Sequence, residues 1–201
     1  MRFIVGISGA SGAIYGARAL EVLHELGHET HLVMTDAALE TLRLETDYGK
    51  AELEKLATIS YRVGAIGSKI ASGSYATDGM LVIPCSMKTL AGVASGYSDN
   101  LLLRAADVTL KERRRLVLVV RESPLSLIHI ENMATVTRAG AIVLPAMPAF
   151  YQRPRTIEEL VDQVVGKALD LLGVEQRLSK PWGGRKAKAG PGSGQTSRTG
   201  R

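Results

Sequence analysis

Three stretches of this chain end an apolar run in residues able to do chemistry. GISGASG (Gly6–Gly12) follows Arg2–Val5, PCSMKT (Pro84–Thr89) follows Gly79–Ile83, and RESP (Arg121–Pro124) follows Leu116–Val120. The first combines small residues, which let a backbone approach an anion, with Ser8 and Ser11 as hydroxyl donors ahead of a helix whose free N–H groups attract negative charge. In the second, Pro-x-Ser-x-x-Thr forms another anion-friendly turn, although Ser86 acting only as a helix N-cap also explains it. The third sets Arg121, able to hold an anion or a carbonyl-rich ring, beside Glu122, able to act as acid or base. A surface ion pair or a helix cap would look the same. Ser123-Pro124 predicts a helix entry, with Ser as N-cap and Pro at the first helical position, and His129 is expected to be packed within that helix.

The glycines of the first stretch run G-x-x-G-x-x-G, off the dinucleotide fingerprint G-x-G-x-x-G. No Gly-Lys-Ser/Thr follows, which excludes a Walker A loop. Asp36, after the second strand, keeps a ribose-binding reading open, and a turn chosen only for tight packing is the plain alternative. Cys85 has no base beside it in sequence and reads as a core residue. His24, His28, His31 and His129 show no metal-ligand spacing, so no metal is expected.

Charged groups beyond buried strands need a sheet to carry them. Strands are predicted at Arg2–Ile7, Thr30–Met34, Gly79–Pro84, Leu116–Val120 and Ala141–Leu144. Helical spacing appears after Gly12 as far as Gly27, at 36–44, Ser86–Gly96, Asn100–Arg115, Leu125–Ala139 and Ile157–Leu172, the last with Thr156 as N-cap. Glu45–Thr77 is less regular and reads as loops and short elements. Strands apolar throughout, alternating with helices, predict a doubly wound three-layer α/β/α domain with a mainly parallel sheet, Rossmann-like or flavodoxin-like. In such sheets ligands bind beyond the carboxyl ends of the strands, where all three stretches fall.

The 201 residues suit one domain, expected over 1–182, with a core of Ala, Val, Leu and Ile since aromatics make up 4%. The net charge of +5 does not imply nucleic acid. Five of the 25 basic residues lie in the acid-free 183–201 stretch, so the remainder balances the 20 acidic residues. That Gly/Ser-rich end reads as a disordered basic tail. Neither a secretory h-region nor a membrane-spanning run is visible, so a cytoplasmic protein is expected, and one cysteine excludes an intrachain disulfide.

Taken together, GISGASGAIYG, the Thr35 turn, LRLET, PCSMKTLAGVASGYSDNLLLRAADVTLKERR, RESPLSLIHIENM and PAMPAFYQRPRTIEEL resemble the UbiX/Pad family of flavin prenyltransferases, from about Arg2 to Trp182. The resemblance implies an enzyme that joins the five-carbon unit of dimethylallyl phosphate to N5 and C6 of reduced FMN, without a metal. The prenylated FMN serves a UbiD-type decarboxylase. A homo-oligomer, commonly a dodecamer of trimers, is implied as well.

Position by position, the resemblance places Gly9, Ala10, Ser11 and Thr35 in the FMN site, with Ser86, Met87, Lys88 and Thr89 wrapping the flavin and Arg121 touching it. Tyr151 and Lys167 correspond to dimethylallyl phosphate ligands. Glu45, Arg104 and Lys111 match polar residues of that pocket, partly supplied by neighbouring subunits. Glu122 matches the residue assigned to proton handling, and Trp182 an aromatic that closes over the site. Two rivals differ in residues. A flavin-dependent cysteine decarboxylase of related fold uses a His after the early strands that this sequence lacks. A flavin-binding chaperone without catalysis needs no second phosphate site, whereas Lys111, Glu122, Tyr151 and Lys167 imply one.

Overall fold

A computed structural model describes residues 1–178; Trp182 and the basic tail lie outside the described residues. Six parallel strands form one sheet: β1 (Arg2–Ile7), β2 (Glu29–Met34), β3 (Ile59–Tyr61), β4 (Gly79–Cys85), β5 (Arg115–Val120) and β6 (Ile142–Pro145), in the order β3-β2-β1-β4-β5-β6. β1 pairs with both β2 and β4, so the chain leaves it first to one side and later to the other. The carboxyl ends of β1 and β4 mark the topological switch point, the place where sheets of this kind bind ligands.

Helices cover both faces, which is why the strands are apolar throughout: each residue of β4 is buried. Phe3, Val5, Ile7, Leu81 and Ile83 pack against α1 (Ala13–Glu25), α2 (Asp36–Glu45), α3 (Lys50–Leu56) and α7 (Ile157–Leu172). Ile4, Met80, Val82, Leu116 and Leu118 face α4 (Met87–Ser95), α5 (Leu101–Lys111), α6 (Leu127–Arg138) and a 3-10 turn at Lys69–Ala71. Among the described residues no helix is long and apolar enough to cross a membrane.

Two predicted bounds are corrected. α6 starts three residues after Pro124: Ser126, not Ser123, is its N-cap, and its hydroxyl accepts from the His129 N–H while His129 Nδ1 accepts from the Ser126 N–H. His129 therefore holds the helix entry rather than packing inside, as a capping box does. α5 stops at Lys111 because Arg113 takes a positive φ of 58°, and Arg115 already belongs to β5. The irregular middle hides α3 and the edge strand β3. With three residues, β3 is too short for a period to be visible in sequence.

His31, buried on β2, carries a polar cluster beneath that edge. Its Nδ1 meets the Tyr61 hydroxyl at 2.9 Å and its Nε2 meets Glu29 Oε1 at 2.9 Å and the Tyr75 hydroxyl at 3.1 Å. Arg2 pairs with the same Glu29 oxygen at 2.9 Å. The hydrogen bond from Arg2, then that from His31, lowers the Glu29 carboxyl to about 2. Burial holds the His31 imidazole below its ordinary 6.5, against the pull of Glu29. Both shifts act in one direction. The unfolded chain takes up protons on His31 below about 6.5 and on Glu29 below about 4.5 while the folded chain resists, so stability falls with falling pH. Thermal unfolding is expected at progressively lower temperature from pH 7 to pH 3, with a shallower slope below about pH 4.5 for Glu29→Gln, where the Glu29 contribution is lost. Equal slopes would show that the cluster is not the cause.

Candidate functional site

Four element ends meet at the switch point. The β1–α1 turn lies against the first turn of α2, so closely that a Cβ on Gly9 would stand 2.4 Å from Ala37 Cβ. Gly12 carries a φ of 104°, a left-handed conformation that side chains disfavour. The turn so formed aims the N–H groups of Gly12 and Ala13 at one point, and Glu45, at the C-terminal end of α2, fills it: its Oε2 accepts from Gly12 at 2.7 Å and Ala13 at 3.0 Å. The Ser11 hydroxyl donates to the same carboxylate. Burial pushes this carboxyl up, but the bonds from Ser11, Gly12 and Ala13 and the charge of Arg121 outweigh it, leaving Glu45 below its ordinary range.

This corrects the reading of the first stretch as a phosphate loop. A helix N-terminus favours an anion, and here the anion is the protein's own carboxylate. Ser8 is corrected too. It is buried, its hydroxyl donates to the Pro84 carbonyl at 3.0 Å and accepts from the Ser86 N–H at 2.8 Å, and it fastens the end of β1 to that of β4.

Two further helix N-termini lie at the switch point. Thr35 caps α2, its hydroxyl accepting from Ala38 N–H at 3.1 Å, and its own N–H donates to the Ile7 carbonyl at the end of β1. Ser86 caps α4 in the same way through Thr89 N–H at 3.3 Å, and donates to the Thr89 hydroxyl at 3.1 Å. Each cap satisfies one first-turn donor and leaves others in that turn without an intrahelical partner. Together with the small residues Gly9 and Ala10, these termini fit a phosphorylated, planar ligand such as FMN. Cys85 is buried, and burial pushes its thiol up to about 12, so it is a core residue and not a nucleophile. Asp36 is exposed in the first turn of α2.

Arg121, directly after β5, is near enough for its charge to act on both Glu45 and Tyr15. Glu122, exposed beside it, accepts from the Ser123 N–H at 2.9 Å. Tyr151 follows β6 and is 57% exposed. The other expected phosphate ligands do not join them within one chain. Lys111 ends α5 next to Glu112, at 2.5 Å, and next to Gly73, close to the start of β5. Arg104 pairs with Asp107 at 2.7 Å and donates to the Ala71 carbonyl. Lys167 is exposed on α7, five residues before Leu172, whose side chain packs on Gly79 at the start of β4. No group of three or more His, Cys, Asp or Glu residues suited to a metal occurs among the described residues.

Fold and site define an α/β flavoprotein: the family described as Flavoprotein matches residues 1–169. Over 188 residues the chain is 50% identical to flavin prenyltransferase UbiX of Thauera aromatica, covering 94% of this chain and 97% of that one. A crystal structure of AnUbiX (PadA1) in complex with FMN and dimethylallyl pyrophosphate superposes with a TM-score of 0.90 at 48% identity, over 92% of this chain and 98% of that one. A dodecameric FMN-dependent UbiX-like decarboxylase from Escherichia coli O157:H7 gives 0.90 at 50% identity, over 92% and 100%. The chain belongs to the UbiX family of flavin prenyltransferases.

Two features carry no signal in the sequence. Tyr15, within the helical spacing of α1, packs its ring on Gly12. Tyr48 follows the LRLET motif by two residues, and nothing in its spacing marks it.

Proposed function

We propose that this chain is a flavin prenyltransferase that transfers the dimethylallyl group of dimethylallyl phosphate to N5 and C6 of reduced FMN, releasing phosphate and yielding prenylated FMN. The observation that carries this reading is the meeting of the Glu45 carboxylate with the Gly12 and Ala13 N–H groups beside the capped N-termini of α2 and α4 at the β1/β4 switch point, in a member of this family. Thr35, Ser86 and Thr89 with their helix N-termini hold the phosphorylated FMN, and Gly9, Ala10, Met87 and Lys88 line it. The flavin supplies the nucleophilic ring positions and a π face for an allylic cation.

The protein supplies preorganised charge. Arg121 and Tyr151, with Arg104, Lys111 and Lys167, stabilise the departing phosphate, and Glu122 accepts the proton lost at C6. Because Arg104, Lys111 and Lys167 sit away from the strand ends of their own chain, a neighbouring copy brings them to the site. Leu127, Ile128 and Phe150, each more than two-thirds exposed, offer apolar surface for that assembly, and the dodecameric relative supports it. The product passes to a UbiD-type decarboxylase, and the reaction takes place in the cytoplasm.

Anaerobic incubation with reduced FMN and dimethylallyl phosphate, followed by mass spectrometry of the flavin, tests the reading. A flavin heavier by one five-carbon unit is expected, and a parallel arm with the diphosphate identifies the preferred donor. Bound FMN of unchanged mass in both arms would leave a flavin-binding chaperone instead.

A further inference from the structure

The geometry points to Tyr48 as a positioning residue for the Ser11–Glu45 pair, acting through the segment that links α2 to α3. The inference rests on the proposed function, with Ser11 and Glu45 taken as catalytic groups of that site. α2 buries only Ala38 and Leu42, and Leu44, beside Glu45, is 86% exposed. Leu42 is the last residue of the helix that the core holds, and beyond it hydrogen bonds set the position of Glu45.

Those bonds straddle α1. On one side Glu45 accepts from Gly12 and Ala13. On the other the Tyr48 hydroxyl donates to Glu21 Oε1 at 2.5 Å. Gly12 and Glu21 are nine residues apart, so the two anchors stand about 13 Å apart along the helix axis. Between them the chain folds on itself: the N–H and hydroxyl of Thr46 both donate to the Leu42 carbonyl, at 3.1 and 2.8 Å, and the Tyr48 N–H donates to the Thr46 hydroxyl at 3.2 Å.

The second anchor is itself braced. Arg18 pairs with Glu21 at 3.1 Å and with Asp162 of α7 at 2.7 Å. A line of contacts from Tyr48 through Glu21 and Arg18 to Asp162 thus ties the end of α2 to two helices of the core. The hydrogen bond to Glu21, ahead of burial, pushes the Tyr48 phenol up to about 12, so it remains a donor throughout the neutral range. A catalytic group displaced by an ångström can lose much of its effect, and Tyr48 limits that displacement for Glu45.

Tyr48→Phe removes the anchor and keeps the ring, beside a cavity of about 330 Å³ between α1 and α7 that already tolerates open space. Steady-state prenyl transfer is measured for Tyr48→Phe, Glu45→Gln and the double variant. Tyr48→Phe is expected to lower kcat about fivefold with both KM values within about twofold, and to cost less than about 1.5-fold in the Glu45→Gln background. Glu21→Ala should reproduce the loss, whereas Glu21→Gln, which keeps an acceptor, should restore most of it. Parental kcat in Tyr48→Phe overturns the proposal. So does a full fivefold penalty in the Glu45→Gln background, or equal losses in the two Glu21 variants, since either marks a structural staple only. If Glu45→Gln itself turns over like the parent, the role of Glu45 falls and the proposal with it.

Discussion

Glu122→Gln is expected to bind FMN as tightly as the parent and to slow ring closure at C6 by about a hundredfold, the lower range for a positioned acid or base. The amide has nearly the same shape and can still accept from the Ser123 N–H, as Glu122 Oε1 does at 2.9 Å, so the loop after β5 keeps its course. What the amide cannot do is move the proton of ring closure, which C6 gives up while the prenyl double bond takes one up. Flavin titration follows binding, and because the N5 adduct and the ring-closed product are isomers of equal mass, single-turnover absorbance and NMR spectra separate them. A flavin joined at N5 but not yet closed at C6 should accumulate. Parental turnover would transfer the proton to another acceptor, such as the departing phosphate, and remove Glu122 from the mechanism.

Gly9→Ala should act on binding instead. Its methyl group would lie 2.4 Å from Ala37 Cβ and 3.1 Å from the Ala37 carbonyl carbon, so the β1–α1 turn or the first turn of α2 must move. Neither neighbour is a flexible side chain that can swing away. Overpacking of this kind costs about 1–3 kcal/mol, and the movement falls on Ser11 and Thr35, which flank the FMN site. FMN affinity is expected to fall at least about tenfold, with a drop in melting temperature of several degrees. Parental affinity in a folded variant would show that the contact between this turn and α2 does not shape the site.

These two changes are legible in the sequence to different degrees. Glu122 stands out because a charged pair follows an apolar strand, and position beyond a buried strand suffices to place it at the carboxyl edge of the sheet. Gly9 is visible as one of several small residues, but its reason lies in Ala37, 28 positions away. Ser8 and Ser11 look equivalent in sequence. In the fold Ser8 is buried between β1 and β4, whereas Ser11 meets Glu45, since the turn at Ala10 sends the two hydroxyls to different elements.

The order of apolar strands and helical spacings is local information, repeated in every element, and it determined the doubly wound sheet, both helix layers and the strand ends that carry Thr35, Ser86, Arg121 and Glu122. The motifs determined the family. What only the tertiary structure decided is which groups meet. A carboxylate from α2 fills the α1 N-terminus that the sequence offered to a phosphate, Tyr48 anchors that helix from the other side, and Lys111 and Lys167 stay away from the strand ends of their own chain. Each depends on the distance between residues far apart in sequence, and such distances are set by how helices pack on a sheet, which no spacing along the chain records.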